Sequence, residues 1–263
     1  VKRVLSGGFE MGNLWYNEPK TLDTAFDVIG DIVLSAASQQ YGGFTVPSVD
    51  EILEPYAKKS HTKLIQKYRD LGLDEETVQR VAWADLEKEM EQGFQGWEYK
   101  FNSVSSSRGD YPFITVTAGT VTSEYGKLVT LKMLEVRKNG QGRKGHKKPV
   151  LFPKIVFLYD EKLHGPGGPL EDVFEAGIDC SARTMYPDWL SLTGDGYVAG
   201  MYKKYGKIIS PMGCRAFLSP WYERGGMEPA DEKDEPVFVG RFNIGAISLH
   251  LPMIYAKARQ ESR

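Results

Sequence analysis

The chain has 263 residues, of which 41% are hydrophobic and 26% charged, and a formal net charge of −2. That is the profile of an ordinary globular protein with room for one large domain or two small ones. A charge this close to zero excludes broad electrostatic attraction to nucleic acid or to an anionic membrane surface, and no apolar run is long enough to span a bilayer. Two cysteines, Cys180 and Cys214, are too few for a disulfide framework and suit a reducing compartment. Nothing at the N-terminus reads as a secretory leader, so the expected location is the cytoplasm. The chain opens on Val1 and both ends fall beside well-patterned sequence, so the expectation is an internal portion of something longer.

No internal repeat is present. Residues 21–40, TLDTAFDVIGDIVLSAASQQ, carry Leu22, Phe26, Ile29, Val33 and Ala36 at helical spacing. Thr21 stands at the capping position and Tyr41-Gly42-Gly43 at the stop. Val28, Ile32 and Leu34 make this helix apolar on more than one side. Residues 48–72 read as a second helix, with Pro55 early, and residues 74–97 as a third, with Val78, Val81, Leu86 and Met90 inward. Their long polar faces are read as meeting water. Character then changes. PFITVTAG (112–119) is a strand by its β-branched alternation. Residues 127–137 are a helix, and VLFPKIVFLYD (150–160) is a strongly apolar strand, with Pro153 marking an edge, a start or a bulge. Residues 170–184 are a helix, and FNIGAISLHLP (242–252) reads as another buried strand. The first hundred residues are thus nearly all helical, and the second half alternates helix and strand, which favours α/β with parallel strands over a sandwich.

Several segments bear on chemistry. RKNGQGRKGHKK (137–148) holds six Lys/Arg and three Gly; it is read first as a solvated surface loop and second as a phosphate contact. HGPGGP (164–169) has no following GK[ST] and is an irregular connection, not a phosphate-binding loop. His61, His146, His164 and His250 fall at no metal-ligand spacing, with each other or with the cysteines. Cys180 lies in a helix, with Ile178 and Ala182 taken as its packed face, and acts as a small buried hydrophobe. Cys214 belongs to no periodic pattern. It follows Gly213 between Pro211 and Pro220, where the backbone can turn tightly but has little other freedom. On these grounds alone a functional and an incidental thiol are equally good readings. An ionised nucleophile would want a histidine partner, and none is adjacent. One-electron chemistry, which needs a shielded and little-ionised thiol against a substrate C–H, suits the setting better.

Taken together, GGFEMGN (7–13), SQQYGG (38–43), SSRGDYPF (106–113), LFPKIVF (151–157), SPMGCR (210–215) and FVGRFNIGAISLHLP (238–252) resemble the anaerobic (class III) ribonucleoside-triphosphate reductases, a glycyl-radical family. Each motif alone is weak; their order and spacing run through nearly the whole chain. The resemblance implies a single domain, residues 1–263, forming most of a ten-stranded α/β barrel. Residues 1–105 would be its mainly helical lead-in, and residues 106–263 would carry strands, helices and a central finger loop. It implies that Cys214 sits at the fingertip and becomes a thiyl radical that takes the 3′-hydrogen from a bound ribonucleoside triphosphate. Asn243 matches an asparagine that hydrogen-bonds the ribose hydroxyls, as its donor and acceptor groups allow; read locally it is a turn-forming Asn before Gly. Met212 matches a methionine beside the radical cysteine; read locally it fills a gap.

The resemblance further implies a homodimer with effector nucleotides and a radical-SAM activating enzyme as partners. It implies no membrane or nucleic-acid partner, a role in deoxyribonucleotide supply for DNA replication, and formate as the reductant in preference to a redoxin. No cofactor is expected within these residues. The glycyl radical and a zinc site belong to a C-terminal part that does not occur in this sequence. An upstream second cysteine and an N-terminal ATP-binding cone are also absent from it. The competing reading is an inactive nucleotide-binding or interaction module that keeps the scaffold. A pyruvate-lyase-like relative fits GGFEMGN and QYGG poorly.

Overall fold

The structure, a computed structural model, describes residues 1–39, 42–105, 109, 111, 113–212, 217, 221–240 and 248–261. In chain order its elements are α1 (Lys2–Gly7), β1 (Phe9–Met11), β2 (Leu14–Tyr16), α2 (Leu22–Gln39), β3 (Phe44–Val46), α3 (Val49–Asp70), α4 (Glu75–Ser103), β4 (Ile114–Ala118) and α5 (Glu124–Asn139). There follow β5 (Lys154–Tyr159), α6 (Glu161–His164), α7 (Glu171–Thr184), β6 (Asp188–Ser191), α8 (Tyr197–Tyr205), β7 (Trp221–Tyr222), β8 (Pro236–Val237) and α9 (Leu251–Gln260). The principal helices and strands read from periodicity are present.

Helix ends fall where the sequence supplies caps. The Asp74 carboxylate accepts the Thr77 N–H at 3.0 Å to open α4, and the Ser123 hydroxyl accepts the Gly126 N–H at 3.1 Å to open α5. Helices α2 and α4 approach closely at Gly93, where a Cβ would stand 2.2 Å from the Phe26 ring. Around that contact the rings of Phe26, Phe94 and Trp97 meet edge to face, and the Trp97 indole donates to the Phe26 carbonyl at 2.8 Å.

The central sheet has four parallel strands in the order β3-β4-β5-β6. Strand order follows chain order without reversal. Side chains alternate between the two faces of a strand, and here the faces differ in kind. Val46, Ile114, Val116, Ala118 and Ile155 join the main core with α2, α3, α4 and α5. Phe157, on the same face, packs with Leu134, Leu170, Val173 and Cys180. The opposite face carries Thr45, Thr115, Thr117, Lys154, Val156 and Leu158. Over it Leu158 packs with Leu192, Val198 and Ile209, which come from the chain after β6. The connecting helices therefore lie on one side of the sheet, and α8 with the chain around Leu192 and Ile209 covers the other.

Five readings from sequence need correction. Of the buried strand at 242–252, residues 242–247 lie outside the described residues. Leu249 is 74% exposed, and Leu251 and Pro252 open α9. Proline fits a first helical turn because its missing N–H is not needed there, and the His250 Nδ1 caps the turn by accepting the Met253 N–H at 3.0 Å. Arg137 belongs to no surface loop. Its side chain is fully buried, with Nε 2.8 Å from Glu98 Oε1, while the rest of the basic stretch stays near the surface. Ile178 and Ala182 are exposed while Cys180 is buried: two residues along a helix is about 200° of rotation, so they point away from it. For the same reason Ala82, not Val81, is fully inward in α4. The helical first hundred residues also hold the β1–β2 hairpin and the short strand β3.

Candidate active site

Of the residues singled out from sequence, Cys214 and Asn243 lie outside the described residues. Met212 is described and is 8% exposed. The chain that leads to it is held at two points. Ile209, 3% exposed, is embedded with Leu158, Leu192 and Val198 over β5. Two residues later, the Pro211 carbonyl accepts the Thr45 hydroxyl of β3 at 2.7 Å. Between these anchors the segment passes from the β5 side of the sheet to β3. Cys214 follows Pro211 by three residues, and a chain advances at most about 3.6 Å per residue.

Under this crossing the sheet offers hydroxyls. Thr45 pairs with Thr115, and Thr115 with Lys154, in one cross-strand row. Thr117, next on β4, accepts the Ser48 N–H at 2.8 Å and so fixes the tight turn from β3 into α3, where Ser48 has φ 48°. Thr115 is 2% exposed, and its hydroxyl has no hydrogen-bond partner among the described residues.

The carboxyl ends of β4 and β5 are braced by two buried side chains that sequence reading missed. Asp50 Oδ2 accepts from the N–H groups of Gly119, Thr120 and Val121 at 2.9, 3.1 and 3.3 Å. Burial pushes the Asp50 carboxyl up from its ordinary value, and these donors, with the Glu51 N–H, pull against that. His164 Nε2 lies 2.7 Å from the Gly119 carbonyl, and its Nδ1 lies 3.0 Å from both the N–H and the carbonyl oxygen of Asp160. Burial lowers the His164 pKa, opposed by the Asp160 and Gly119 backbone contacts. Gly119 itself, at φ +124°, would bring a Cβ to 3.2 Å from the Leu158 carbonyl. These groups hold the loop that follows β4; they are bracing, not chemistry. In sequence, an acid in a first helical turn reads as a dipole partner and HGPGGP as a connection, so neither carried a signal. The alternation in PFITVTAG marked a strand but singled out neither Thr115 nor Thr117.

Cys180 is buried and its thiol is pushed up by burial, which keeps it protonated and inert. Among the described residues no group of three or more His, Cys, Asp or Glu side chains is arranged to hold a metal ion. Two open depressions lie elsewhere. One of about 560 Å³ runs from Trp15 and Tyr16 to Thr24 and Val28. The other, of about 590 Å³, is lined by His61, Trp83 and Tyr125.

Residues 1–263 match the family model described as "Anaerobic ribonucleoside-triphosphate reductase". The chain belongs to that family. Curated relatives of this description are 36% identical over 262 residues in Haemophilus influenzae, covering 99% of this chain and 34% of that one. In Enterobacteria phage T4 the identity is 33% over 255 residues, covering 97% and 40%. In Escherichia coli it is 33% over 260 residues, covering 98% and 34%. The chain thus spans a little over a third of the length of these relatives. Among solved structures, the crystal structure of the anaerobic ribonucleotide reductase from Thermotoga maritima in complex with dATP and CTP superposes with a TM-score of 0.50 at 15% identity. That superposition covers 74% of this chain and 32% of that one, and supports the α/β architecture with its parallel sheet.

Proposed function

We propose that this chain is most of the catalytic barrel of an anaerobic ribonucleoside-triphosphate reductase and carries its radical-forming thiol at Cys214. The observation that carries the reading is the two-point seating of the approach to Cys214. Ile209 is buried over β5 and the Pro211 carbonyl is tied to Thr45, on the sheet face opposite the crossover helices. A sheet whose strands follow chain order, with every crossover helix on one side, is how a barrel begins; a doubly wound sheet reverses its order and has helices on both sides. Closure into ten strands, with the Ser210–Pro220 stretch as a central finger, is the extension of that pattern. On this reading residues 1–263 are one domain.

In the reaction, the Cys214 thiyl radical takes the 3′-hydrogen of the ribose and becomes a thiol. The 3′ radical weakens the 2′ C–O bond, and the 2′-hydroxyl leaves with a proton as water. Two electrons and a proton are then needed, for which formate, oxidised to carbon dioxide, is the proposed source. The 3′ carbon finally recovers its hydrogen atom from Cys214, which restores the thiyl radical. Asn243 holds the ribose hydroxyls, and Met212, buried two residues before the thiol, shields it from water. Exclusion of water and reductant matters because a radical is quenched by either. The glycyl radical and its zinc site belong, on this reading, to a part of the protein outside these 263 residues. Effector nucleotides, a radical-SAM activating enzyme and a second subunit complete the assembly. No described helix is long and apolar enough to cross a membrane, and a reducing cytoplasm is the proposed setting.

The test is made on the complete protein, activated without oxygen, with conversion of each ribonucleoside triphosphate followed by chromatography. Cys214→Ala is expected to abolish conversion while ribonucleotide binding persists, and Asn243→Ala to lower it steeply. Undiminished conversion by Cys214→Ala overturns the radical assignment. If the unaltered protein binds ribonucleotides but converts none, the inactive binding module is correct instead. Residues 1–263 alone are expected to convert nothing.

A further inference from the structure

We propose that Thr115 is a positioning residue: its hydroxyl is a second hook for the segment that carries Cys214, beside the hook that Thr45 already provides. The inference rests on the reading of Cys214 given above and adds a residue to it.

Three observations carry it. First, Thr115 is 2% exposed and its Oγ1 makes no hydrogen bond among the described residues. A buried hydroxyl left unpaired destabilises the fold, whereas valine, of the same shape, would not. A hydroxyl kept at such a position without a partner is a group waiting for one. Second, Thr115 is the cross-strand partner of Thr45, so their backbones lie about 4.8 Å apart. Thr45 already donates to a main-chain carbonyl of this segment, that of Pro211, at 2.7 Å. Third, the segment is buried over β5 at Ile209 and bonded to β3 at Pro211. It therefore crosses β4, the strand on which Thr115 stands. Thr117, the other hydroxyl on that face of β4, accepts the Ser48 N–H, so of the two it is Thr115 whose oxygen meets no partner among the described residues.

The partner that fits is another main-chain carbonyl of the same segment, met when the complete protein holds the thiol in its working position. Two adjacent hydroxyls on a rigid sheet would fix both the position and the tilt of the loop, where one fixes position alone. Reacting atoms misplaced by about 1 Å can lose on the order of 100-fold in rate, so the effect of losing the hook falls on turnover and not on substrate binding.

The experiment uses the complete, activated protein with Thr115→Val, which deletes only the hydroxyl, and Thr115→Ser, which keeps it. Thr115→Val is expected to lower kcat by about tenfold or more with KM within about twofold. Its Tm should be unchanged or higher, and its radical content after activation, read by electron paramagnetic resonance, equal to that of the unaltered protein. Thr115→Ser is expected to recover most of kcat. A rise in KM at unchanged kcat would show that the hydroxyl meets substrate, and overturns the proposal. So does unaltered kinetics in Thr115→Val, and so does a fall in kcat matched by a fall in Tm that Thr115→Ser does not repair. Cys214→Ala, assayed alongside, separates the two levels. If it abolishes turnover while Thr115→Val is normal, only the hook is wrong; if it retains turnover, the reading of Cys214 fails.

Discussion

Replacing Arg137 by methionine should destabilise the protein more than almost any other single change on the helical side. The guanidinium is fully buried, and its partner Glu98 is 4% exposed. Arg137 Nε donates to Glu98 Oε1 at 2.8 Å, and its Nη2 donates to the Pro153 carbonyl at 2.6 Å. The guanidinium carbon lies 5.5 Å from the centre of the Tyr186 ring. Gln141 Nε2 donates to Glu98 Oε2 at 2.6 Å. This one side chain thus joins α4, α5 and the start of β5. Methionine keeps most of the stem but strands the Glu98 carboxylate with Gln141 as its remaining donor. Breaking a buried pair by removing one partner costs about 3–5 kcal/mol. For a domain of this size each kcal/mol moves Tm by about 2–4 °C, so a fall of roughly 6–20 °C is expected in a thermal melt followed by circular dichroism. The double variant Glu98→Met with Arg137→Met removes both charges and should cost clearly less than the sum of the two single changes. A fall of less than about 3 °C for Arg137→Met, or strict additivity in the double variant, would falsify the claim that this pair is a buried, mutually dependent unit.

Further outcomes follow from the bracing of the β4 loop and from the close helix contact. Asp50→Ala leaves the Gly119, Thr120 and Val121 N–H groups unmet and should cost about 1–3 kcal/mol in urea unfolding, with Asp50→Asn costing less. Burial depresses the His164 pKa below 6.5. A group depressed in this way stabilises the fold fully above about pH 6.5, and that contribution is lost as pH falls towards the folded-state value. The urea midpoint should therefore drop as pH falls below about 6.5, and His164→Gln should flatten that part of the profile; an unchanged profile contradicts the burial of His164 in its neutral form. Gly93→Ala places a Cβ 2.2 Å from the Phe26 ring and should lower stability by about 1–3 kcal/mol. Thr45→Val removes the bond to Pro211 and should reduce turnover of the complete protein severalfold while costing about 1 kcal/mol or less in stability.

Much of the fold was legible because long amphipathic helices and the apolar strand at β5 announce themselves by period. Helices α2, α3, α4, α5 and α7 and strands β4 and β5 all fall where hydrophobic spacing put them. What escaped is short or locally atypical. Strand β3 is three residues long and β6 opens on Asp188, so neither holds enough alternation to read. Arg137 was assigned to a basic surface stretch because composition cannot show which of six cations turns inward; its partner Glu98 lies 39 residues away in sequence. The strand expected near the C-terminal end rested on a run of apolar residues, and such a run does not distinguish a strand from the helix that Pro252 begins. At the candidate site, motif order pointed to the 210–215 segment, and the structure shows what seats its described part. The seating residues, Thr45 and Thr115, were not found as such, because a threonine in a strand is unremarked until its hydroxyl is seen to hold something or nothing.

The one-sided placement of the crossover helices separates two kinds of mutational consequence. Changes among Phe26, Ile155, Phe157 or Arg137 alter how firmly the frame stands, and a melting screen would report them at once. Changes at positions 45 and 115 leave the frame standing and alter what it grips. A family member selected only for heat resistance would therefore be free to exchange Thr115 for valine, standing as firmly as before while its turnover fell.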